Sequence, residues 1–136
     1  MGARGQHVLV IRVTSVLTSV RSINAPPKGV REGEIIFLTD QLLNVMPQFG
    51  RPARASVGSD QGTLTVVSAT TARLVGTASF PDGTIKLNGL IPLAGNRPTV
   101  IPVVGGTGRY AGARGADTQP APGGNTELNT YRLTLP

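Results

Sequence analysis

One segment of the sequence has the residue types and spacing of a nucleotide-binding loop. Gly106, Gly108 and Ala111 fit the dinucleotide pattern G-x-G-x-x-[GA] directly after a β-branched run, and Glu127 follows about 20 residues downstream. Such a loop holds a pyrophosphate only where its last position opens a helix. Residues 112–124 contain four glycines and two prolines, which disfavour a helix. The segment is therefore predicted to be a glycine corner at Gly106 that closes a sheet, and no nucleotide is expected.

Other common catalytic groups are scarce. The chain has no cysteine and a single histidine, His7. Disulfides, a thiolate nucleophile and sulfur-ligated zinc are thereby excluded, and a histidine metal cluster or a Ser-His triad is not expected. We predict that His7 is exposed or lies at a strand end, and that the protein uses no metal and no cofactor.

The charge of the chain is basic but dispersed. Its formal net charge is +6, yet its eleven arginines never form a run, and only five aromatic residues are available for base stacking. We therefore expect no nucleic-acid partner. The first seven residues contain one basic residue, and Arg12 interrupts the apolar stretch that follows. These features predict neither a signal peptide nor a membrane segment, and hence a soluble, cytoplasmic protein.

Short segments rich in Val, Ile and Thr alternate with Gly and Pro at intervals of about 8 to 12 residues, which is typical of an all-β sandwich or barrel. The predicted strands are residues 7–21, 34–43, 53–58, 63–69, 71–80, 84–90, 100–104, 110–115 and 127–135. Residues 60–62 and 81–83 have the composition of tight turns. Residues 1–6 are predicted to be disordered, and residues 115–125 to form a mobile loop.

These elements predict one domain of 136 residues, an all-β fold with a single small antiparallel barrel of about eight strands and an apolar central cavity. A closed barrel has no exposed edges and leaves an interior that can hold a small ligand. Residues 8–11 are apolar on both alternating faces. The outside of some strands should therefore be covered, and we expect a homo-oligomer, either a dimer or a trimer.

Residues 100–115, VIPVVGGTGRYAGARG, resemble the signature of the allene oxide cyclase and dirigent barrel superfamily. In that family an apolar strand runs into Gly-Gly-[Thr/Ser]-Gly, an aromatic residue, a small residue and then Ala-[Arg/Tyr]-Gly. Residues 80–89 are similar to a turn and a glycine-ended strand of the family, and residues 38–43 resemble the segment that holds the dirigents' acidic residue. The resemblance implies a barrel that steers reactive intermediates.

Three residues are candidates for catalysis. Asp40 resembles the dirigents' acidic residue, which would orient or deprotonate a substrate; alternatively it caps a turn. Arg114 falls on the arginine of the family's Ala-Arg-Gly, where it would bind an oxyanion or enolate; alternatively it pairs with Asp40 or Asp117. Glu34 is the other strand carboxylate, and its pKa would be raised if it faced the apolar cavity; alternatively it faces solvent.

Four residues are candidates for substrate binding. Phe37 and Tyr131 are predicted to be walls of the cavity, with packing in the core as the alternative. Tyr110 occupies the family's aromatic position after the glycines, which also fits structural packing. Asn88 could form a hydrogen bond with a ligand carbonyl.

Two functions compete. The first is an isomerase- or lyase-type cyclase or pericyclase that needs no cofactor. It would fold a reactive, polyketide-like molecule for stereocontrolled ring formation, such as a Diels-Alder cyclisation, in natural-product or antibiotic biosynthesis. Confinement of a flexible substrate removes several kcal/mol of barrier without acid, base or metal. The second is a non-catalytic, dirigent-like barrel that binds an apolar small molecule. The sequence lacks the acidic residue of allene oxide cyclases in its first strand and the disulfides of dirigents.

Overall fold

The computed structural model describes residues 7–24, 26, 31–93, 97–120 and 126–136. These residues form a closed barrel of eight strands in which every strand is antiparallel to its neighbours and β1 pairs with both β2 and β8. The strands are β1 (His7–Ile23), β2 (Ile35–Asn44), β3 (Ser56–Val66), β4 (Thr71–Phe80), β5 (Gly83–Pro92), β6 (Thr99–Gly108), β7 (Arg114–Gln119) and β8 (Thr126–Leu135). The predicted all-β barrel is confirmed.

The two-residue period of the strands separates the barrel interior from its outer surface. In β6, Thr99, Ile101 and Val103 are buried, whereas the alternating residues Val100, Pro102 and Val104 are exposed. A β-bulge interrupts the β2–β3 ladder where Leu42 pairs with Gly58 and Leu43 with Ser56, so that Val57 of β3 is the extra residue and is buried out of phase with the inward positions that follow. The inward side chains supply the hydrophobic core.

An aromatic cluster closes one end of the barrel. Phe80, at the end of β4, stacks on Phe49 with ring centroids 5.3 Å apart. It also meets Tyr110 and Tyr131 edge-on, at 6.1 and 5.7 Å. Leu42 is fully buried in the same core. We call Phe49, Phe80, Tyr110 and Tyr131 the aromatic plug.

Residues 60–62, predicted to form a turn, lie instead in the middle of β3. Gly62 is the Cα partner of Leu38 on one side and of Gly76 on the other, so the ladder is continuous through this segment. The two strands predicted on either side, residues 53–58 and 63–69, are therefore largely one strand. The turn at residues 81–83 is confirmed, and Gly83 there has a φ of 156°.

The glycine corner also lies later in the chain than predicted. Strand β6 runs straight through Gly106 and ends at Gly108, and the turn occupies residues 109–112. Tyr110 is therefore in a turn rather than a strand. Positive φ values occur at Gly108 (61°) and Gly112 (76°), not at Gly106. No helix follows among residues 109–120, which agrees with the rejection of a nucleotide loop.

Residues 114–119 form β7, although residues 115–125 were predicted to be a loop. The strand pairs with Thr99–Val103 of β6 and with residues 130–134 of β8, and it thereby completes the closed sheet. The rest of the predicted loop that lies at 121–125, and the predicted disordered segment 1–6, fall outside the described residues. Over the described ranges, no helix has the length and apolarity to cross a membrane.

Candidate functional site

A cavity of about 250 Å³ occupies the interior at the end opposite the aromatic plug. Its apolar walls include Leu38, Leu64, Leu74, Leu87, Ile91, Leu93 and Ile101. Gly62 and Gly76 also line it and contribute no side chain. A Cβ atom at Gly62 would lie 2.9 Å from Cδ1 of Leu74, so the glycine preserves space that a larger residue would fill.

Four acidic side chains line the same cavity: Asp40 on β2, Asp60 on β3, Asp117 on β7 and Glu127 on β8. They come from two pairs of neighbouring strands that flank β1. Among the described residues that line the cavity there is no lysine, arginine or histidine. The cavity therefore combines apolar walls with a concentration of carboxyl groups.

Asp40 and Asp60 face each other directly across the β2–β3 ladder. Burial raises the pKa of Asp60 to about 9, helped by a hydrogen bond to Asp40 and by repulsion from the Asp40 carboxylate. The charges of Asp117 and Glu127 act in the same direction. Asp60 consequently keeps its proton at neutral pH and can donate a hydrogen bond.

Asp117 is also protonated at neutral pH. Its burial raises its pKa to about 8; a hydrogen bond from Gln119 opposes this shift, and the charge of Glu127 adds to it. The Gln119 Nε2 donates to Oδ2 of Asp117 at 3.2 Å and to Oδ1 of Asn129 at 2.6 Å. The Asn129 Nδ2 in turn donates to Oγ of Ser15 at 2.8 Å. This network fixes Gln119 at the cavity wall.

Tyr131 belongs to the aromatic plug, is fully buried and does not itself line the cavity. Its ring packs against Phe80, and it is the Cα partner of Asp117 on the neighbouring strand. Burial raises its pKa well above the usual value, as do the charges of Asp117, Asp60 and Asp40. Within the described structure, neither its hydroxyl nor Oδ1 of Asp117 has a hydrogen-bond partner. Of the two residues, Asp117 lines the cavity, so its unpartnered Oδ1 marks the position at which a ligand could form a hydrogen bond.

Of the seven predicted site residues, Asp40 is the one that lines the cavity in the described structure. Tyr131 is fully buried in the core, where the charges of Asp40, Asp60 and Asp117 act on it. Glu34 is buried, directly before β2, and its Oε1 has no hydrogen-bond partner among the described residues. Its carbonyl oxygen accepts a hydrogen bond from the Val66 N–H at 2.9 Å. Glu34 does not line the cavity. Its predicted catalytic role stays a prediction.

Two predicted binding residues lie on the outer surface. Phe37 and Asp40 are three positions apart on β2, so they point to opposite faces of an unbulged strand. The guanidinium of Arg21 lies 5.2 Å from the centre of the Phe37 ring. Asn88 accepts a hydrogen bond from Nη1 of Arg73 at 2.9 Å. Neither Phe37 nor Asn88 lines the cavity.

Arg114 and Tyr110 also lie away from the cavity. Arg114 is exposed, and its Nη1 donates to the carbonyl oxygen of Ala113 at 2.8 Å. Among the described residues it forms no ion pair with a cavity carboxylate. Tyr110 is fully buried in the aromatic plug, and its hydroxyl donates to Oδ1 of Asp82 at 2.6 Å. Its place fits structural packing, which the sequence left open.

The sequence reasoning did not nominate Asp60, Asp117, Gln119 or Glu127 as site residues. One signal was present for Asp60, because it shares its two-residue phase with Gly62, Leu64 and Val66, three positions that face inward. The prediction of a turn at residues 60–62 concealed that phase. For the other three residues, orientation depends on how β7 pairs with β8, which no local pattern reveals.

Comparison with known proteins identifies the family. The chain matches the allene oxide cyclase barrel-like domain over residues 27–121. No curated protein matches its sequence.

Several solved structures share the fold. Pyocyanin demethylase is 21% identical, with a TM-score of 0.74, and the match covers 92% of this chain and 99% of that one. The Diels-Alderase AbnU, described as exo-specific and intermolecular, is 15% identical with a TM-score of 0.75, covering 96% and 98%. A pterocarpan synthase dirigent protein is 18% identical with a TM-score of 0.73, covering 96% and 84%. The resemblance seen in residues 100–115 is thereby confirmed, and the chain belongs to the allene oxide cyclase barrel-like family.

Proposed function

We propose that the protein is a cyclase that needs no cofactor and folds a reactive, polyketide-like molecule inside its barrel for stereocontrolled ring formation. The observation that carries the proposal is a cavity of about 250 Å³ with apolar walls and carboxyl groups, inside a barrel whose other end is plugged. A concave, mostly apolar site with a few convergent polar groups is typical of small-molecule binding. The Diels-Alderases that share the fold make ring closure a reasonable chemistry for it.

In this proposal, the protein accelerates ring closure mainly by confining the substrate. A flexible substrate held with its two reacting ends in contact has already lost the entropy that a cyclisation otherwise costs. Asp117 lines the cavity, is protonated at neutral pH and can donate a hydrogen bond to a substrate carbonyl, whereas the proton of Asp60 is shared with Asp40. Such a bond withdraws electron density from a conjugated alkene and speeds its addition to a diene. The step converts the three π bonds of the diene and the alkene into two carbon–carbon σ bonds and one new π bond, and it transfers no proton.

The test is to incubate the purified protein with a flexible polyketide-like molecule that carries a conjugated diene and an activated alkene. We expect faster ring closure and an altered ratio of stereoisomers. Leu74→Trp, which fills the cavity, should abolish both effects. Val75→Trp is the matched control, because Val75 is the next residue of β4, is 51% exposed on the outside of the barrel and does not line the cavity. The proposal would be contradicted if the protein changed neither the rate nor the isomer ratio for any substrate in a panel of such molecules.

A non-catalytic barrel that binds a small molecule is the second candidate. It is favoured by the unpartnered Oδ1 of Asp117 at the cavity, because a ligand that is only bound would satisfy it. Ligand-dependent thermal stabilisation without any product would support this function over the cyclase.

A further inference from the structure

The ionisable groups that line the cavity are acidic, whereas the chain as a whole is basic. The formal net charge is +6, but the ionisable side chains lining the cavity are all acidic among the described residues. They come from β2, β3, β7 and β8. The other four strands present only uncharged groups there, such as Ser15 on β1, Leu74 on β4, Leu87 on β5 and Thr99 on β6.

A second, independent observation shows where a ligand would be held. Tyr131 is fully buried and Asp117 is 1% exposed, yet Oη of the first and Oδ1 of the second have no hydrogen-bond partner in the described structure. The two residues are direct partners across the β7–β8 ladder. Buried polar groups are nearly always paired in folded proteins, so this spot is suited to a polar group of a bound molecule.

We infer that the cavity takes an organic cation, an ammonium or an N-alkylated aromatic ring, with its charge beside the cavity carboxyl groups and its carbon skeleton against the leucine walls. The inference rests on the proposed function, since it names the class of substrate for the same site. It selects a polyketide-like intermediate that carries a basic nitrogen over one that carries a carboxylate or an acidic enol. A cation relieves the mutual repulsion of neighbouring carboxylates, whereas an anion adds to it.

Binding of a cation is coupled to proton release. The groups concerned are the cavity-lining Asp40, Asp60, Asp117 and Glu127, together with Tyr131, which is buried in the core within the electrostatic influence of the three aspartates. The ligand charge favours the ionised forms of Asp60 and Asp117, whose pKa values in the free protein are about 9 and about 8. A cation that does not titrate should therefore bind more tightly as the pH rises from about 6 to about 9.

The test uses two molecules of the same shape. One is para-tert-butylbenzyl alcohol, and the other is its charged isostere, (para-hydroxymethylphenyl)trimethylammonium; neither molecule titrates in this pH range. Binding to the full chain is measured by titration calorimetry at several pH values, in buffers of different ionisation enthalpy. At about pH 8 we expect the cation to bind roughly tenfold more tightly than the neutral molecule. Its affinity should rise with pH, and its binding should release protons.

Asp60→Asn and Asp117→Asn should each remove most of the preference for the cation while the neutral molecule still binds, which shows that the cavity persists. Glu32→Gln removes an exposed carboxylate outside the cavity and should leave the preference unchanged. Equal or tighter binding of the neutral molecule overturns the inference but leaves the cyclase proposal standing. Binding of neither molecule overturns the inference and removes support from the cavity as a ligand site. The inference is also overturned if Mg²⁺ alone binds as tightly as the organic cation and the Asp60→Asn variant loses this binding.

Discussion

Asp60 is the residue whose environment most strongly changes its chemistry. Its partner across the ladder is another carboxyl group, and burial raises its pKa from 3.8 to about 9. The unfolded chain releases this proton near the ordinary pKa, whereas the folded protein keeps it. The stability associated with Asp60 is therefore complete below about pH 4 and is lost as the pH rises through the folded value. Asp117 behaves in the same way with a pKa of about 8.

Asp60→Asn should stabilise the protein at alkaline pH, because the amide has no proton to lose. We expect the free energy of unfolding to exceed that of the wild type by roughly 2 to 4 kcal/mol at about pH 9, and the two to converge near about pH 4. Urea denaturation across this pH range measures the effect. Glu32→Gln is the control, because it removes an exposed carboxylate. If the free energies of unfolding of Asp60→Asn and the wild type differed by the same amount at every pH, Asp60 would not be protonated in the folded protein.

Tyr110→Phe should destabilise the protein by about 1 kcal/mol, because it removes the hydrogen bond from the buried Tyr110 hydroxyl to the half-buried carboxylate of Asp82. The Tyr110 hydroxyl donates to Oδ1 of Asp82 at 2.6 Å, at the turn between β4 and β5. Binding at the cavity should be unchanged, since Tyr110 lies in the aromatic plug. If the Tyr110→Phe variant lost ligand affinity but kept its stability, Tyr110 would be a binding residue.

In strand β6, glycine is required at Gly106 but not at the adjacent Gly105. A Cβ atom at Gly106 would lie 2.5 Å from the carbonyl oxygens of both Thr84 and Tyr110. At Gly105 the nearest such atom, Nη1 of Arg114, is 4.0 Å away. The requirement at Gly106 is thus close approach of backbone, not the positive φ that a corner would need.

Gly106→Ala should therefore lower the free energy of unfolding by more than about 2 kcal/mol, and Gly106→Val should prevent folding. Gly105→Ala is the matched control in the same strand and should cost less than about 1 kcal/mol. Thermal and urea denaturation of the three variants checks the difference. Equal stability of Gly105→Ala and Gly106→Ala would refute the account of this strand.

The sequence predicts most strands correctly because their two-residue periodicity is a local property, as in β1 and β4. Turn composition is less informative, because Asp and Gly also occur inside strands that pair with a neighbouring strand on both sides. Residues 60–62 lie in β3 for this reason. The same limit applies to the candidate site. Asp40 and Tyr131 were nominated, but the inward orientation of Asp117 and Glu127 depends on register and closure.

The outer surface of the barrel carries apolar residues that are exposed to solvent in a single chain. Val100 and Val104 on β6 are 56% and 46% exposed, and Leu90 on β5 is 54% exposed. We propose that this face contributes to a homo-oligomer, as the apolar outer positions in the sequence lead us to expect. Light scattering on the eluting protein should give a dimer or trimer, and Val100→Lys with Val104→Lys should give a monomer. A monomeric wild type at micromolar concentration would contradict this proposal.

The central claim is that the barrel interior, beside Asp60, Asp117 and Tyr131, holds the molecule on which the protein acts. A crystal structure of the protein with a cyclised polyketide-like product tests it most directly. The account predicts density for the product inside the cavity, against Leu74 and within hydrogen-bond distance of Asp117. A product bound only on the outer surface, or an interior filled by the protein's own side chains, would contradict it.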